Sequence, residues 1–500
     1  MPILCRVRAL VALLCLFPLT LPLCSAQTAP AATQAVQPAF SSAAVDADVE
    51  RAMREFHVAG AAVGIIVDGK VVMAKGYGVR RVGSPEPVDA DTLFDVGSVT
   101  KSFTGMAVAA MVDDSKLDFD KPVIQYLPDF RLYDPVATQL ITPRDMLGHR
   151  SGLPRHDFIR ESTWLTREQF IDRLRYLEPN HTFRETFQYN NLMFVAAGYL
   201  AGHVNGTSWE ELVQQRVFTP LGMTHSNTSA REIQQTSDFA SPHEIVDNKA
   251  VVVPFYDYQR FGIGPNGAVN SSANDMLKYI AFHMGDGTAN GKQVLSPRQF
   301  AEIHRPITVT GDSTYAMGWF IENRGGHRAL EHSGGITGFT TDMILIPDLH
   351  TAIIVLNNTS SPLPQTVANG FINRELGLPV VDEVERIKKY ITDDQQRDKD
   401  AAKAFEAGRL PNAPASLPLA AYAGDWFHPA FGVVHVAVEG EALGVHFDAL
   451  TLHLTHYNYD TFALDDHDIA TFHVDAKGKP IELLLPLEPA VKPFVFIRKQ

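Results

Sequence analysis

The sequence predicts a mixed α/β (α+β) fold, with an antiparallel sheet flanked by helices, an inserted helical subdomain, and a small C-terminal β-barrel. Two β-rich runs, 61–67 and 70–77, are joined by an Asp-Gly pair, which is the strongest short indicator of a hairpin. Residues 120–240 are rich in proline, charge and helical segments, which favours a helical subdomain. From residue 420 onward, short β-rich runs at even spacing are typical of a small barrel or sandwich.

In chain order, the hairpin is followed by a helix predicted near residues 99–112. After the helical subdomain, Asn274-Asp275 should cap another helix. Late apolar runs then predict the remaining strands of the sheet, and a Pro-Asp pair predicts a turn between the last two. These strands are expected at 315–322, 339–346 and 351–356.

The C-terminal part begins with a charged, proline-free stretch at 382–410, which predicts a helix that leads into a loop. Short runs of β-forming residues follow, and no internal repeat is present. Their regular spacing predicts the C-terminal β-domain. These strands are expected at 433–438, 443–447, 450–455, 461–464, 469–474, 481–485 and 494–498.

The first 26 residues have the pattern of a secretory signal peptide. Two arginines precede an apolar run at 9–23, and small residues lead to a cleavage position after Ala26. The run is short and broken by proline, which disfavours a transmembrane helix. A lipid anchor on Cys24 is the alternative, although Leu23 is bulky where a small residue is wanted. We therefore expect a periplasmic or secreted protein.

Composition excludes several classes of site and partner. All three cysteines, Cys5, Cys15 and Cys24, lie in the predicted signal peptide, so the mature chain is expected to have no disulfide, thiol nucleophile or cysteine zinc site. We predict no metal and no other cofactor. The net charge is −14 and no basic tract of five or more residues occurs, which disfavours nucleic-acid binding. No later run of 18 apolar residues occurs, so no transmembrane segment is expected in the mature chain.

These observations together divide the chain into five segments. The residues between the signal peptide and the first helix are rich in Ala, Gln, Pro and Thr, as in a flexible linker. The segments are 1–26 (signal peptide), 27–42 (flexible linker), 43–381 (sheet domain with the helical subdomain), 382–419 (helical linker) and 420–500 (β-domain).

An S-x-x-K pattern joins Ser98 to Lys101, and positions three apart on a helix share one face. Serine alone is a poor nucleophile and needs a base, and a lysine held in an apolar site can lose its proton and serve as that base. At a helix start, free amide N–H groups and the dipole also favour developing negative charge. Alone the pattern is weak, since a serine-started helix with a surface lysine looks the same.

Two further short patterns could complete a site. A Y-x-N pattern pairs Tyr189 with Asn191, because a phenol near a lysine can relay protons and an asparagine can donate to a substrate carbonyl. Otherwise this stretch is a polar turn before a helix. His332 begins an H-S-G-G run that ends at Gly335 before a predicted strand, where glycine lets a substrate backbone approach closely. The other interpretation is an ordinary glycine turn.

Taken together and in this order, the three patterns resemble those of the serine β-lactamase and penicillin-binding-protein superfamily. The chain is most similar to the β-lactamase-related (CubicO-type) branch, which includes class C-like enzymes, esterases, D-aminopeptidases and DD-peptidases. The resemblance covers about residues 43–358, and the tail from 420 is similar to the lipocalin-like β-domain often appended in this branch. Further stretches that fit the family are 94–104, 146–154, 220–223 and 271–275, while residues 422–426 carry the similarity of the tail to the β-domain.

The resemblance implies a role for each candidate residue. Ser98 attacks the carbonyl and becomes acylated, while Lys101 and Tyr189 share the acid and base work in an order left open. Backbone N–H groups of Ser98 and Gly335 form the oxyanion hole. Asn191 orients the substrate amide or ester.

His332 departs from the pattern of penicillin targets, which usually carry lysine at this position. Histidine is largely neutral near pH 7, which disfavours strong binding of a substrate carboxylate. We therefore expect a metal-free exported serine hydrolase whose partner is a small-molecule or peptide substrate, with D-residue peptides as candidates. The alternatives are a penicillin-sensitive DD-peptidase or weak β-lactamase, and a non-catalytic cell-wall peptide receptor. The sequence predicts neither the oligomeric state nor the role of the β-domain.

Overall fold

The structure, a computed structural model, describes residues 40–258, 260–379, 381–464 and 467–499. The predicted signal peptide and most of the predicted linker lie outside these ranges. None of the described helices combines the length and the apolar character of a bilayer-spanning segment.

Strands are numbered here in chain order. They are β1 Gly60–Val67, β2 Lys70–Gly78, β3 Phe94–Asp95, β4 Ser226–Asn227, β5 His243–Val246, β6 Lys249–Val252, β7 Asn270–Ser271, β8 Thr288–Ala289, β9 Lys292–Gln293, β10 Thr308–Thr310, β11 Ser313–Tyr315, β12 Phe320–Arg324, β13 His327–Ile336, β14 Phe339–Ile346, β15 Thr351–Asn357, β16 Gly424–His428, β17 Gly432–Glu439, β18 Ala442–His446, β19 Thr451–Asn458, β20 Thr461–Ala463, β21 Ile469–Val474, β22 Pro480–Leu485 and β23 Phe494–Arg498.

An eight-stranded antiparallel sheet forms the centre of the larger domain, in the order β10-β11-β12-β13-β14-β15-β1-β2. The predicted hairpin is confirmed as β1 and β2, and β1 also pairs with the late strand β15. The beginning and the end of this domain therefore pair with each other next to one edge of the sheet, where β2 is the edge strand.

Both faces of the sheet are covered by helices. Alternate residues of a strand point to opposite faces. Val63 of β1 packs in a core with the helices Ser42–Glu55 and Leu363–Glu375. Ile66 of the same strand lies in the larger core on the other face, which includes the helix Thr100–Asp113. Strands β14 and β15 are buried throughout, as expected for a sheet between two helical layers.

Residues 120–240 contain many short helices and few strands, as predicted, and the helices near 99–112 and 382–410 are also present. The α-helices among the described residues are Ser42–Glu55, Thr100–Asp113, Pro135–Leu140, Pro143–Leu147, Phe158–Ser162, Arg167–Arg173, Asn191–Asn205, Trp209–Val213, Thr219–Leu221, Ala230–Ile233, Ala273–His283, Pro297–Ile303, Leu363–Glu375, Glu383–Ala407 and Leu419–Tyr422.

Two local predictions are wrong. The strand expected at 315–322 is split into β11 and β12, because Gly318 turns the chain with φ +89°. A side chain at Gly318 would lie 2.6 Å from the carbonyl of Lys101, so only glycine fits against that helix. The helix Ala273–His283 is capped by Ser272, whose hydroxyl accepts from the Asp275 backbone nitrogen at 3.3 Å, and not by Asn274-Asp275.

The C-terminal part is a closed barrel of the eight strands β16 to β23. All seven expected strands are present, and β16, which pairs with both β17 and β23, closes the barrel. The predicted C-terminal β-barrel is thereby confirmed. The sheet between helices, the helical subdomain and the barrel confirm the predicted fold class.

Candidate active site

Ser98 lies in a single 3₁₀ turn, Gly97–Val99, that leads directly into the helix Thr100–Asp113. This turn places the Ser98 hydroxyl one turn before Lys101, and the Lys101 Nζ donates to the Ser98 Oγ at 3.0 Å. Ser98 is half-buried, so its hydroxyl group lies at the edge of the core. The S-x-x-K pattern is therefore a direct contact between a hydroxyl and an amine.

The Lys101 amine has an apolar and aromatic environment. The residue has no exposed surface, and its Nζ also donates to the Asn266 carbonyl at 2.9 Å. Its Nζ lies 4.7 Å from the ring centroid of Tyr189 and 5.6 Å from that of Phe194. An ammonium group is poorly solvated in such a place, which suits the amine to accept the proton of Ser98.

Tyr189 lies just before the helix Asn191–Asn205 and is brought to Lys101 by the packing of that helix against Thr100–Asp113. Its half-buried ring also contacts His149, with ring centroids 4.5 Å apart, and the guanidinium carbon of Arg155 at 5.4 Å. The structure thus brings Ser98, Lys101 and Tyr189 together, although they come from two separate parts of the chain.

Strand β13 passes directly behind the nucleophile turn. A side chain at Gly334 would collide with the Val96 carbonyl and lie 3.1 Å from the Ser98 nitrogen. The Gly335 nitrogen is also close to this turn, because a Cβ atom built on Gly97 would lie 2.7 Å from it. The two N–H groups predicted for the oxyanion hole therefore belong to adjoining backbone segments. The H-S-G-G run precedes strand β14, as predicted, and it also forms part of β13.

His332 is buried behind the site, with 1% of its surface exposed. Its Nδ1 lies 2.6 Å from the Ser333 carbonyl and its Nε2 lies 3.1 Å from the Tyr315 hydroxyl. Burial, together with the charge of Lys101, lowers the pKa of His332 to about 3, so the imidazole is neutral at physiological pH. Both ring nitrogens have partners inside the protein, and a contact between His332 and substrate stays a prediction.

Replacing His332 by glutamine should flatten the pH dependence of the free energy of unfolding. The unfolded histidine binds a proton below about pH 6.5, while the folded one stays neutral down to about pH 3. Stability is therefore lost as the pH falls through this window, by about 1.4 kcal/mol per pH unit, and glutamine removes this component. Urea unfolding at several pH values between 4 and 7 measures the slope. Equal slopes for the wild type and His332→Gln would contradict the prediction, and exposed His181→Gln serves as the control.

Asn191 is buried and held by Asp157. Its Nδ2 donates to the Asp157 Oδ1 at 2.9 Å, while its Oδ1 has no hydrogen-bond partner among the described residues. The Asn191 Nδ2, which was predicted to donate to a substrate carbonyl, therefore already donates to Asp157. The Asn191 Oδ1 is available to accept a hydrogen bond. The orienting role of Asn191 stays a prediction.

Asp157 and its arginines are site residues that the sequence analysis missed. Burial by itself raises the pKa of the Asp157 carboxyl, but the charges of Arg155 and Arg160 hold it well below its usual range. Arg155 Nε donates to Asp157 Oδ2 at 2.7 Å, and Arg160 Nε donates to Oδ1 at 3.0 Å. The carboxylate therefore ties Asn191 to two cations, one of which lies over the Tyr189 ring.

His149 and Tyr315 were also missed as neighbours of the site. His149 Nδ1 accepts from the backbone nitrogen of Asn190 at 3.0 Å, and its Nε2 has no partner among the residues described. Its ring lies 4.7 Å from that of Tyr315, which contacts His332. His149 lies in the 146–154 stretch that fits the family, so only this residue had any indication in the sequence. No group of three or more His, Cys, Asp or Glu side chains in the described ranges could hold a metal ion.

Two parts of the chain match known protein families. Residues 45–377 match the Beta-lactamase family, and residues 409–496 match a domain of unknown function, DUF3471. The chain is 28% identical over 500 residues to the unguisins hydrolase ungD of Aspergillus violaceofuscus (strain CBS 115571), covering 91% of this chain and 87% of the relative. It is 24% identical over 323 residues to Protein flp of Staphylococcus aureus (strain COL), covering 63% of each.

Two solved structures share the fold. The octameric penicillin-binding protein homologue from Pyrococcus abyssi superposes with a TM-score of 0.60 at 22% identity, covering 92% of this chain and all of the other. The D-alanine carboxypeptidase AmpC from Burkholderia cenocepacia superposes with a TM-score of 0.55 at 22% identity, covering 67% of this chain and 99% of the other.

Proposed function

Because the chain belongs to the β-lactamase family and is a serine hydrolase, we propose that it cleaves small amide or ester bonds, including those of D-residue peptides, through an acyl-enzyme on Ser98. We further propose that the chain is exported to the periplasm or secreted by means of residues 1–26. The hydrolase names of two Aspergillus relatives, both described as unguisins hydrolases, support an activity on small molecules.

The proposed reaction has two steps. In the first, Ser98 Oγ attacks the substrate carbonyl carbon, its proton passes to Lys101 or Tyr189, and the carbonyl oxygen takes negative charge opposite the N–H groups of Ser98 and Gly335. The bond to the leaving amine or alcohol then breaks, and that group takes a proton from Lys101 or Tyr189. In the second step, water attacks the acyl carbon and gives up a proton to Lys101 or Tyr189. The ester bond to Ser98 then breaks, the Ser98 Oγ takes that proton back, and the acid product leaves.

One observation carries this proposal. The Lys101 amine, with no exposed surface, lies 3.0 Å from the hydroxyl of a half-buried serine and 4.7 Å from the ring of Tyr189. Buried lysines are rare, and burying one costs free energy unless it has a partner. A purely structural role gives no reason to place that amine against a serine hydroxyl.

The substrate preference follows from His332. Its buried, neutral ring offers no fixed cation to a substrate carboxylate, which favours esters and peptides over penicillins. A panel of p-nitroanilides and p-nitrophenyl esters, with L- and D-acyl groups, tests the proposal. We expect turnover of activated esters and of at least one D-residue anilide, and we expect fluorophosphonate labelling of Ser98. No turnover and no labelling would contradict the proposal.

A penicillin-sensitive DD-peptidase or weak β-lactamase is the second candidate, which the similarity of fold to a D-alanine carboxypeptidase supports. Intact-mass detection of a long-lived penicillin adduct on Ser98 would favour it over the first candidate. If peptides bind but no substrate of the panel is hydrolysed, the result would support a non-catalytic peptide receptor.

A further inference from the structure

The C-terminal barrel contacts the hydrolase domain along a short segment, residues 155–162, which we call the site-edge segment. It also contacts Arg173, whose guanidinium donates to the Pro429 carbonyl. The His156 backbone nitrogen donates to the Glu488 Oε2 of the barrel at 2.7 Å. At the other end of the segment, the Ala449 backbone nitrogen of the barrel donates to the Ser162 carbonyl at 3.1 Å. The barrel therefore holds the backbone of this segment at both ends.

Aromatic packing fills the space between these two hydrogen bonds. Phe158 of the site-edge segment lies edge to face with Phe447 of the barrel, with ring centroids 5.1 Å apart, and 6.0 Å from Phe431. The His156 ring lies 5.9 Å from that of Phe494. These side chains are buried, so the barrel and the site-edge segment share one core.

The same segment reaches the catalytic groups on its other side. Asp157 accepts from the Asn191 amide at 2.9 Å, and Arg155 lies over the Tyr189 ring at 5.4 Å. His156, which the barrel holds, is the residue between these two. A shift of its backbone would therefore move Arg155 and Asp157 together.

Glu488 is suited to fix a backbone position. It is 8% exposed, and besides His156 it accepts from the Ala490 nitrogen at 3.2 Å. A carboxylate that accepts from backbone N–H groups makes hydrogen bonds about twice as strong as neutral ones. Apolar packing alone would hold two domains together, but it does not require a buried carboxylate at this place.

We propose that the barrel is a positioning element of the active site, and that Glu488 is its positioning residue. Glu488 fixes His156, His156 fixes Arg155 and Asp157, and these fix Tyr189 and Asn191. This assigns a role to the domain of unknown function at residues 409–496. This proposal rests on the proposed function, because its test measures hydrolysis.

Three full-length variants test the proposal. Their hydrolysis of a p-nitrophenyl ester is measured below the melting temperature, and kcat is calculated per active site, with the number of active sites titrated by a fluorophosphonate. Glu488→Ala should lower kcat by about tenfold to a hundredfold with KM little changed, because displacing a reacting group by about 1 Å costs rate on this scale. Glu488→Gln keeps an acceptor for the His156 nitrogen and should stay within about threefold of the wild type. Asp460→Ala breaks hydrogen bonds from the barrel to Ser416 and Tyr422, which precede its first strand, and serves as the matched control, with wild-type kcat.

Wild-type kcat in a folded Glu488→Ala variant would overturn the proposal, as would an equal loss of kcat in Asp460→Ala. If Glu488→Ala does not fold, Phe447→Leu, which weakens the contact to Phe158, takes its place and should lower kcat less but in the same sense. Unchanged kcat in Phe447→Leu would then overturn the proposal. The proposed function fails separately, through ester turnover that persists in Ser98→Ala.

Discussion

Replacing Ser98 by alanine should lower kcat/KM by about 10⁴- to 10⁶-fold, because removal of a nucleophile disables the whole group of residues that acts with it. Serine and alanine differ by one oxygen atom and Ser98 is only half-buried, so the melting temperature of the variant should stay near that of the wild type. Hydrolysis of a p-nitrophenyl ester measures the loss, and differential scanning fluorimetry checks the fold.

Ser102→Ala is the matched control for this experiment. Ser102 lies one turn further along the same helix, where its hydroxyl donates to the Val99 carbonyl and accepts from the Tyr279 hydroxyl. Its loss should cost stability, by about 1 kcal/mol per hydrogen bond, and leave turnover within about tenfold of the wild type. Ester turnover at the wild-type rate in Ser98→Ala would refute the acyl-enzyme proposal.

Replacing Lys101 by methionine should lower kcat/KM by at least about 10³-fold while the protein stays folded. Methionine has a similar length and suits the apolar surroundings, so the change removes the amine that contacts Ser98 with little change in packing. It also removes the hydrogen bond to the Asn266 carbonyl, which should cost about 1–3 kcal/mol of stability. Kinetics and thermal melting of the same preparation measure both effects.

The exposed Lys116, which follows the same helix and donates to Asn205 at 2.7 Å, provides the control Lys116→Met. That variant should keep full activity. A Lys101→Met variant that retains activity within tenfold of the wild type would show that Lys101 is not needed as a base.

The parts of this fold that could be predicted from sequence are those with a local pattern. The β1–β2 hairpin, the nucleophile helix and seven barrel strands each have a periodicity or a turn pair of their own. The eighth strand, Gly424–His428, is short and starts with glycine, so only its pairing with β17 and β23 defines it. The split between β11 and β12 depends on the close approach of Gly318 to Lys101, which no local pattern reveals.

The site divides in the same way. Ser98 and Lys101 contact one another because they are three positions apart at the start of a helix, and the sequence shows that spacing. Asp157 and Glu488 act through partners far away along the chain, so their types and positions look like those of ordinary surface carboxylates. Prediction of such residues needs the tertiary structure, because their partners are chosen by packing.

The arrangement of β13 behind the nucleophile turn also governs when activity can first arise. Ser98 is synthesised early, whereas the Gly335 nitrogen that faces its turn comes much later and the barrel is translated last. Domains fold largely in the order in which they leave the ribosome. A nascent chain that ends before β13 thus has Ser98 and Lys101 but lacks the Gly335 N–H group that is predicted for the oxyanion hole. We therefore expect hydrolysis only from chains synthesised at least through β13, and the recovery of turnover after dilution from denaturant should report on the docking of β13 against the nucleophile turn.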